Sequence, residues 1–294
     1  MPEAIHADAS VEPANPPRSQ LIYRHPVPVR LWHWATAFAV CGLLFTGFYI
    51  FNVHPRLYWG DVGNNYTPAA LWFEGHAPAR AGAAMPEILH VGGHRTDLTG
   101  HAGAVMDLGP DGTYYLVAPM PESWHFGGLR AWHFALAWVL ILAWIPHLLY
   151  SARKRSRRAL LLPRRRELTP AALGRSLRDH LRLKRVGGAA AAEYNPLQKL
   201  AYLAVIAVLV PLMLLSGLAM SNAIGAAFPW LVVALGGRES ARTLHALGAT
   251  TFAVFLLVHL FQVIVAGALN EMRSITTGYF RVDPNEGGEN GADR

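Results

Sequence analysis

The sequence predicts an all-α integral membrane protein, a four-helix bundle with a long outer loop between its first and second helices. Of its 294 residues, 52% are hydrophobic and only 15% are charged, a composition typical of membrane proteins rather than soluble domains. Four apolar stretches are each long enough to cross a hydrocarbon core of about 30 Å. They lie near residues 29–51, 128–150, 196–221 and 240–270.

Positive charge is concentrated between the second and third helices. The net charge is +7, and thirteen of the 26 Lys and Arg lie between Arg153 and Arg185. Cytoplasmic loops carry an excess of Lys and Arg, so we expect the basic loop, residues 151–195, in the cytoplasm of a bacterial cell. Binding of nucleic acid or anionic lipid would also explain this charge, but its role in setting the membrane orientation is the simpler interpretation.

The same rule places the loop at residues 52–127 outside the inner membrane and both termini in the cytoplasm. From residue 52 to 128 there are three Arg and seven acidic residues. Residues 1–28 are predicted to be a mobile tail, because they lack apolar periodicity and begin with acidic residues where a signal peptide would be basic. Residues 283–294 form a second predicted tail, which leaves 29–282 as the membrane domain.

The fourth helix carries two histidines, His245 and His259, that are fourteen residues apart. Fourteen helical residues rise about 21 Å and fall about 40° short of four full turns, so both side chains share one face at two depths. An imidazole without a partner is costly in lipid. This spacing predicts two stacked metal centres, and the alternative is two buried histidines that neighbouring helices satisfy.

The direction of each helix sorts the other histidines by depth. Helix one would enter from the cytoplasm, which places His33 near the inner surface beside His259. Helices two and four would enter from outside, which places His133 level with His245. The single cysteine, Cys41, leaves no thiolate cluster and no c-type attachment motif. Paired histidines without such attachment predict two non-covalent b-type haems that carry electrons.

His147 is a second candidate partner for His259, because it lies near the inner end of helix two. It follows Pro146, which would kink the last turn of that helix. We favour His33 as the ligand and expect His147 to be an interfacial imidazole, a propionate contact or a hydrogen-bond partner of quinone.

Three of these histidines are preceded, three positions earlier, by an arginine: Arg30, Arg130 and Arg242. Such a residue lies roughly 4.5 Å nearer the membrane surface on nearly the same helix face, where its guanidinium would pair with a haem propionate. Arginines commonly flank membrane helices, which would explain Arg30 alone. Arg130 and Arg242 lie on the outer side, where basic residues are not favoured.

The remaining segments carry weaker signals. Helix three contains no histidine, and Pro211 should kink it. In the outer loop, GTYYLVAP after GPDG is compatible with a small hairpin. His90, His94 and His101 are spaced loosely enough to ligate a metal, but a solvated His-rich loop is the preferred interpretation.

Several segments resemble the bacterial cytochrome b561 superfamily: VRLWHWATAFAVCGLLFTGFYI, LRAWHFALAW, YNPLQKLAYLAVIAVLVPLMLLSGLAMS, and HALGATTFAVFLLVHL followed by NEMRSITTGYF. That superfamily includes the membrane b-type subunits of nickel-iron hydrogenases, formate dehydrogenases and thiosulfate reductases. HPRLYWG and YNPLQKLAY look most like the thiosulfate reductase branch. The resemblance implies haem ligands at His33, His133, His245 and His259. It also implies a periplasmic catalytic partner of the molybdopterin or hydrogenase type.

The sequence therefore predicts a di-haem cytochrome b that relays electrons between a periplasmic oxidoreductase and the quinone pool. No bond-making catalysis by its own side chains is implied. One alternative is a self-contained membrane enzyme such as a superoxide:quinone oxidoreductase, which some relatives resemble. Another is a haem-free transporter or structural anchor with buried histidines.

Overall fold

The computed structural model describes residues 19–64, 66–75, 86–101, 104–107, 113–116, 126–154, 162–182 and 194–282. In chain order the main elements are β1 (Gln20–Tyr23), α1 (Val27–Val53), β2 (Arg56–Leu57), β3 (Leu71–Gly75), β4 (Glu87–Val91), β5 (His94–Asp97), β6 (Ala104–Asp107), β7 (Thr113–Leu116), α2 (Phe126–Arg153), α3 (Pro170–Leu181), α4 (Pro196–Met220), α5 (Asn222–Ala227), α6 (Pro229–Ala234), α7 (Arg238–Thr277) and β8 (Tyr279–Val282). Within these ranges, four helices are long and apolar enough to span a membrane: α1, α2, α4 and α7. The predicted fold class is confirmed.

The bundle presents apolar side chains outward as well as inward. Phe38 of α1 is 70% exposed and Leu257 of α7 is 68% exposed. A helix that is apolar on every side belongs in a surrounding as apolar as its core. The outward face is therefore suited to lipid.

Two helical hairpins make up the bundle. Helix α1 packs most extensively on α2, and α4 packs on α7, while α1 also contacts α7. Ala39, Leu140 and Phe252 belong to the buried cluster that joins these helices. We call the end of the bundle where α1 ends and α2 begins the loop end. The opposite end, where β1 pairs with β8, is the terminal end.

Helix α4 begins at a capping box in which the Asn195 side chain accepts from the Gln198 backbone N–H and the Gln198 side chain accepts in return. Its middle, Val205–Leu209, is a π-helix that ends two residues before Pro211. In that geometry the Ile206 carbonyl would accept from residue 211, but proline has no N–H. The indole N–H of Trp144 in α2 donates to this carbonyl instead, at 3.1 Å.

The outer loop contains more strand than the sequence predicted. Strands β2 to β5 form an antiparallel sheet in chain order, and β6 pairs with β7. The β6–β7 pair includes residues of the GTYYLVAP segment, which the sequence indicated as compatible with a small hairpin.

Residues 54–61 of the loop fasten to the first turns of α7. The Gly60 N–H donates to Ser240 Oγ at 2.8 Å, and the buried Thr243 hydroxyl donates to the Tyr58 carbonyl at 2.6 Å. Gly237 is also required here, since it has a φ of 105° and a Cβ would lie 2.5 Å from the Gly60 backbone.

The terminal end is closed by strand pairing and ion pairs. Strand β1 pairs antiparallel with β8. Arg24 forms an ion pair with Glu271 at 3.1 Å, and Lys199 of α4 forms one with Glu167 at 2.9 Å. The Lys199 hydrogen bonds hold the pKa of the Glu167 carboxyl below its ordinary value.

Several predicted boundaries need correction. The predicted tail is wrong for residues 20–28, because residues 20–23 form β1 and α1 begins at Val27; residues 1–18 and 283–294 lie outside the described residues. Helix α7 extends to Thr277 rather than 270, although Gly267 interrupts it with a φ of 108°. The basic loop contains α3, which is capped by Thr169, whose hydroxyl accepts from the Ala172 N–H.

Candidate haem-binding sites

The loop end of the bundle brings His133 of α2 opposite His245 of α7. Their ring centres are 6.2 Å apart and the ring planes are inclined by 62°. The sequence placed these two residues at one depth, on helices that enter from the same side. The structure brings them together with one ring edge towards the other ring.

A hydroxyl on helix α1 orients His133. Thr46 Oγ1 lies 2.8 Å from His133 Nδ1 and 2.8 Å from the Gly42 carbonyl oxygen. A carbonyl oxygen only accepts, so the hydroxyl proton is directed to Gly42 and the oxygen accepts from Nδ1–H. This tautomer leaves Nε2 as the unprotonated nitrogen, which is the form that ligates a metal.

A hydroxyl on helix α4 makes the same arrangement with His245. Ser216 Oγ lies 2.6 Å from the Leu212 carbonyl oxygen and 3.0 Å from His245 Nδ1. Because the Ser216 hydroxyl donates to the Leu212 carbonyl, its oxygen accepts from Nδ1–H of His245. Both loop-end histidines therefore direct Nε2 away from the helices that support them.

The terminal end brings His33 of α1 opposite His259 of α7. Their ring centres are 6.4 Å apart and the planes are inclined by 52°. No hydroxyl supports this pair within the described part of the chain, and His33 Nδ1 is buried without a hydrogen-bond partner there. Aromatic rings flank it instead, with Trp34 5.3 Å from His33 and Phe255 5.9 Å from His259.

The ring separations distinguish a shared metal from a direct hydrogen bond. Two hydrogen-bonded imidazoles, with nitrogens about 2.9 Å apart, have ring centres about 5 Å apart. Two imidazoles on opposite sides of one metal ion, each bonded at about 2 Å, have ring centres about 6.3 Å apart. The observed 6.2 and 6.4 Å fit the second arrangement. Both pairs thus suit a six-coordinate haem iron.

The structure places His147 against Trp32 of α1. Its ring stacks on Trp32 with centres 3.7 Å apart and planes inclined by 13°, and its Nε2 lies 3.3 Å from Ser151 Oγ. His147 is buried against α1 at the terminal end, beside the His33 and His259 pair but outside it.

Each of the three arginines has a protein partner. Arg30 donates to the Thr276 carbonyl at 2.5 Å, near the end of α7. Arg242 donates to the His54 carbonyl at 2.6 Å. The Arg130 guanidinium lies 5.6 Å from the Phe126 ring centre. The Arg30 and Arg242 contacts join the ends of different helices, whereas Arg130 and Phe126 lie on the same helix. Pairing of the three arginines with haem propionates stays a prediction.

Two arginines, Arg242 and Arg56, lie near His54, which follows the end of α1. Burial, with the charges of Arg242 and Arg56, holds the pKa of His54 below its ordinary value. Burial and these charges therefore favour the neutral form of the His54 imidazole.

The outer-loop histidines do not gather around a metal within the described residues, where no group of three His, Cys, Asp or Glu is close enough to hold one. His90 bonds to Glu74 at 2.6 Å and stacks on Trp72 with centres 4.0 Å apart. His90 is therefore part of the sheet rather than of a metal site.

Sequence reasoning missed Thr46 and Ser216. Both lie on apolar helices where a lone hydroxyl usually bonds to its own backbone. A signal was present, because each is followed by glycine, Gly47 and Gly217, in the last two turns of a helix that precedes a histidine-bearing helix.

Comparisons with known proteins agree with this geometry. The profile of the prokaryotic cytochrome b561 family matches residues 24–278. A putative protein-methionine-sulfoxide reductase subunit, YedZ1, from Azospira oryzae is 30% identical over 159 residues, which are 54% of this chain and 76% of that protein. No solved structure gives a significant match. The resemblance seen in the sequence is thus confirmed, and the chain belongs to the prokaryotic cytochrome b561 family of membrane haem proteins.

Proposed function

We propose that this cytochrome holds two b haems, one at each end of the bundle, and conducts electrons along its length. The observation that carries the proposal is the presence of two imidazole pairs with ring centres 6.2 and 6.4 Å apart. Histidine pairs fill both axial positions of a haem iron, which suits electron transfer rather than oxygen chemistry. When bound, the haems would supply reversible one-electron chemistry.

The chain's own residues orient the ligands and exclude water. Thr46 and Ser216 hold the loop-end imidazoles. The aromatic rings around His259, including Phe255 and Tyr202, pack beside the terminal-end pair. The separation of the pairs follows from α7, because His245 and His259 are about 21 Å apart along a helix axis.

We place the quinone at the terminal end, where polar atoms on α1 lack partners. Trp32 Nε1 and Thr36 Oγ1 are buried without a hydrogen-bond partner in the described residues, and Trp32 stacks on His147. An unsatisfied buried polar group costs about 1–3 kcal/mol, so such groups indicate a bound polar ligand. A quinone combines a flat ring with carbonyl acceptors and therefore fits this face.

The loop end would then face a soluble redox partner outside the cell membrane. This orientation rests on the thirteen Lys and Arg between Arg153 and Arg185, which favour a cytoplasmic terminal end. The related YedZ1 is a putative subunit of a protein-methionine-sulfoxide reductase. That relationship favours a periplasmic reductase of the molybdopterin type over a hydrogenase as the partner.

Haem content tests the proposal. A pyridine haemochrome assay on protein purified in mild detergent should give two haems b per chain. A fully loaded preparation with one haem or none would refute it. If isolated protein turned over superoxide and quinone without a partner subunit, the conduit would be replaced by a self-contained oxidoreductase.

A further inference from the structure

The two helical hairpins present the same dipeptide to the loop-end histidines. Thr46-Gly47 of α1 meets His133 on α2, and Ser216-Gly217 of α4 meets His245 on α7. In each hairpin a hydroxyl residue followed by glycine supports a histidine on the partner helix. The loop-end pair is thus held symmetrically by residues that are not themselves ligands.

The glycines complete the support. A Cβ on Gly47 would lie 3.3 Å from His133 Cε1, and a Cβ on Gly217 would lie 3.3 Å from His245 Cε1. Because that distance is tighter than ordinary van der Waals contact, alanine would push the imidazole edge away from its helix. The glycines allow the ring to approach closely enough to reach the hydroxyl beside it.

The hydrogen bond also changes the ligand electronically. A histidine that donates Nδ1–H to an acceptor is more basic at Nε2, and stronger electron donation stabilises the oxidised iron. At the terminal end, by contrast, buried His33 Nδ1 has no acceptor in the described structure. The two pairs therefore differ in ligand strength as well as in position.

We propose that Thr46 and Ser216 are positioning residues that lower the midpoint potential of the loop-end haem below that of the terminal-end haem. The inference rests on the proposed function, since it requires two bis-histidine haems. It identifies two residues outside the ligand set, Thr46 and Ser216, that make the two midpoint potentials differ. At equilibrium, the first electron taken up would reside at the terminal end.

The experiment is a spectroelectrochemical titration of the purified protein and four variants, one of which is Ser216→Ala. Thr46→Val removes the acceptor with little change in shape, and Thr46→Ser restores it. Thr250→Val is the matched control, because the Thr250 hydroxyl makes the same bond to a carbonyl four residues earlier, that of Ala246, at an exposed position of α7.

We expect the lower of the two midpoint potentials to rise in Thr46→Val and the upper one to stay unchanged. Thr46→Ser should restore the lower potential, and Thr250→Val should match the wild type. Ser216→Ala should also raise the lower potential, because it removes the hydroxyl beside His245 Nδ1. Unchanged potentials in Thr46→Val, or a shift of the upper potential alone, would overturn the inference.

The failures of the two proposals are distinguishable. Wild-type protein with fewer than two haems refutes the proposed function, whereas two haems with unshifted potentials refute only the role of the hydroxyls. If Thr46→Val loses one haem while Thr46→Ser and Thr250→Val retain two, the positioning role is supported through haem retention. Equal haem loss in the valine and serine variants would contradict it.

Discussion

The two ends of the bundle hold their histidine pairs in different ways. At the loop end, hydroxyls on α1 and α4 bond to both rings, with oxygen–nitrogen distances of 2.8 and 3.0 Å. At the terminal end the rings lie among aromatic side chains, and His33 Nδ1 is unsatisfied within the described residues. Equal ring spacing therefore does not imply equal surroundings for the imidazoles. The residues on neighbouring helices make the difference.

The protein scaffold around the two pairs differs as well. Hydrogen bonds between uncharged groups, such as the one from Thr243 to the Tyr58 carbonyl, fasten the outer loop over the loop end. Ion pairs between Arg24 and Glu271, and between Lys199 and Glu167, fasten the terminal end. The two ends should therefore respond differently to mutation and to pH.

Loss of a loop-end ligand should have the largest effect. His133→Ala or His245→Ala is expected to reduce the haem content from two to one, because a single imidazole leaves one axial position empty. The remaining haem should keep the midpoint potential of the terminal-end site. Haemochrome assays combined with a redox titration measure both. Simultaneous loss of both haems from a folded variant would count against separate sites.

Removal of the Trp144 indole N–H should destabilise the terminal half of the bundle. Trp144→Phe leaves the Ile206 carbonyl of the π-helix without a donor, at a cost of about 1–3 kcal/mol for a buried unsatisfied group. Thermal unfolding in detergent checks this. Trp138→Phe is the control, since Trp138 is 61% exposed, and an equal loss in both variants would refute the special role of Trp144.

The loop end has a corresponding test at Thr243. Thr243→Val removes the buried bond to the Tyr58 carbonyl and should cost about 1 kcal/mol. Hydrogen exchange of residues 56–61 should rise more than that of β1. The control is Thr251→Val, whose exposed hydroxyl bonds to the Leu247 carbonyl of its own helix. If the control loosens the loop equally, the docking bond is not what holds it.

The smallest expected effect is on how stability depends on pH, through the ion pair between Glu167 and Lys199. The Lys199 hydrogen bonds lower the pKa of Glu167 in the folded protein, so the unfolded chain binds its proton more readily. The pair therefore contributes stability above the ordinary carboxyl pKa, and this contribution is lost as pH falls through the lowered value. A partly exposed pair contributes less than about 1 kcal/mol.

Melting curves recorded between neutral pH and pH 3 measure the contribution of this ion pair to stability. Glu167→Gln should lower the melting temperature at neutral pH and reduce the loss of stability on acidification. An unchanged acid dependence in Glu167→Gln would show that the ion pair contributes nothing there.

Much of the fold followed from the sequence because lipid imposes a simple requirement. Every backbone polar group in the hydrocarbon must bond internally, so long apolar stretches become helices. Histidine spacing then placed His33 near His259, and His133 near His245, because alternate helices run in opposite directions. These arguments need only helix pitch and direction.

The details that sequence reasoning missed depend on contacts between distant residues. The pairing of β1 with β8 joins residues 20–23 to residues 279–282, and neither strand has alternation that would predict it. Pro211 indicated a distortion in α4, but not that Trp144 would satisfy the freed carbonyl. Thr46 and Ser216 were overlooked because a hydroxyl's partner on another helix depends on how the helices rotate.

The measurement that tests the account most directly is the haem content of His33→Ala and His147→Ala beside the wild type. His33 faces His259, whereas His147 stacks on Trp32 and its Nε2 lies beside Ser151 Oγ. The account predicts two haems in the wild type, one in His33→Ala and two in His147→Ala. Two haems in His33→Ala and one in His147→Ala would contradict it and move the terminal-end ligand to α2.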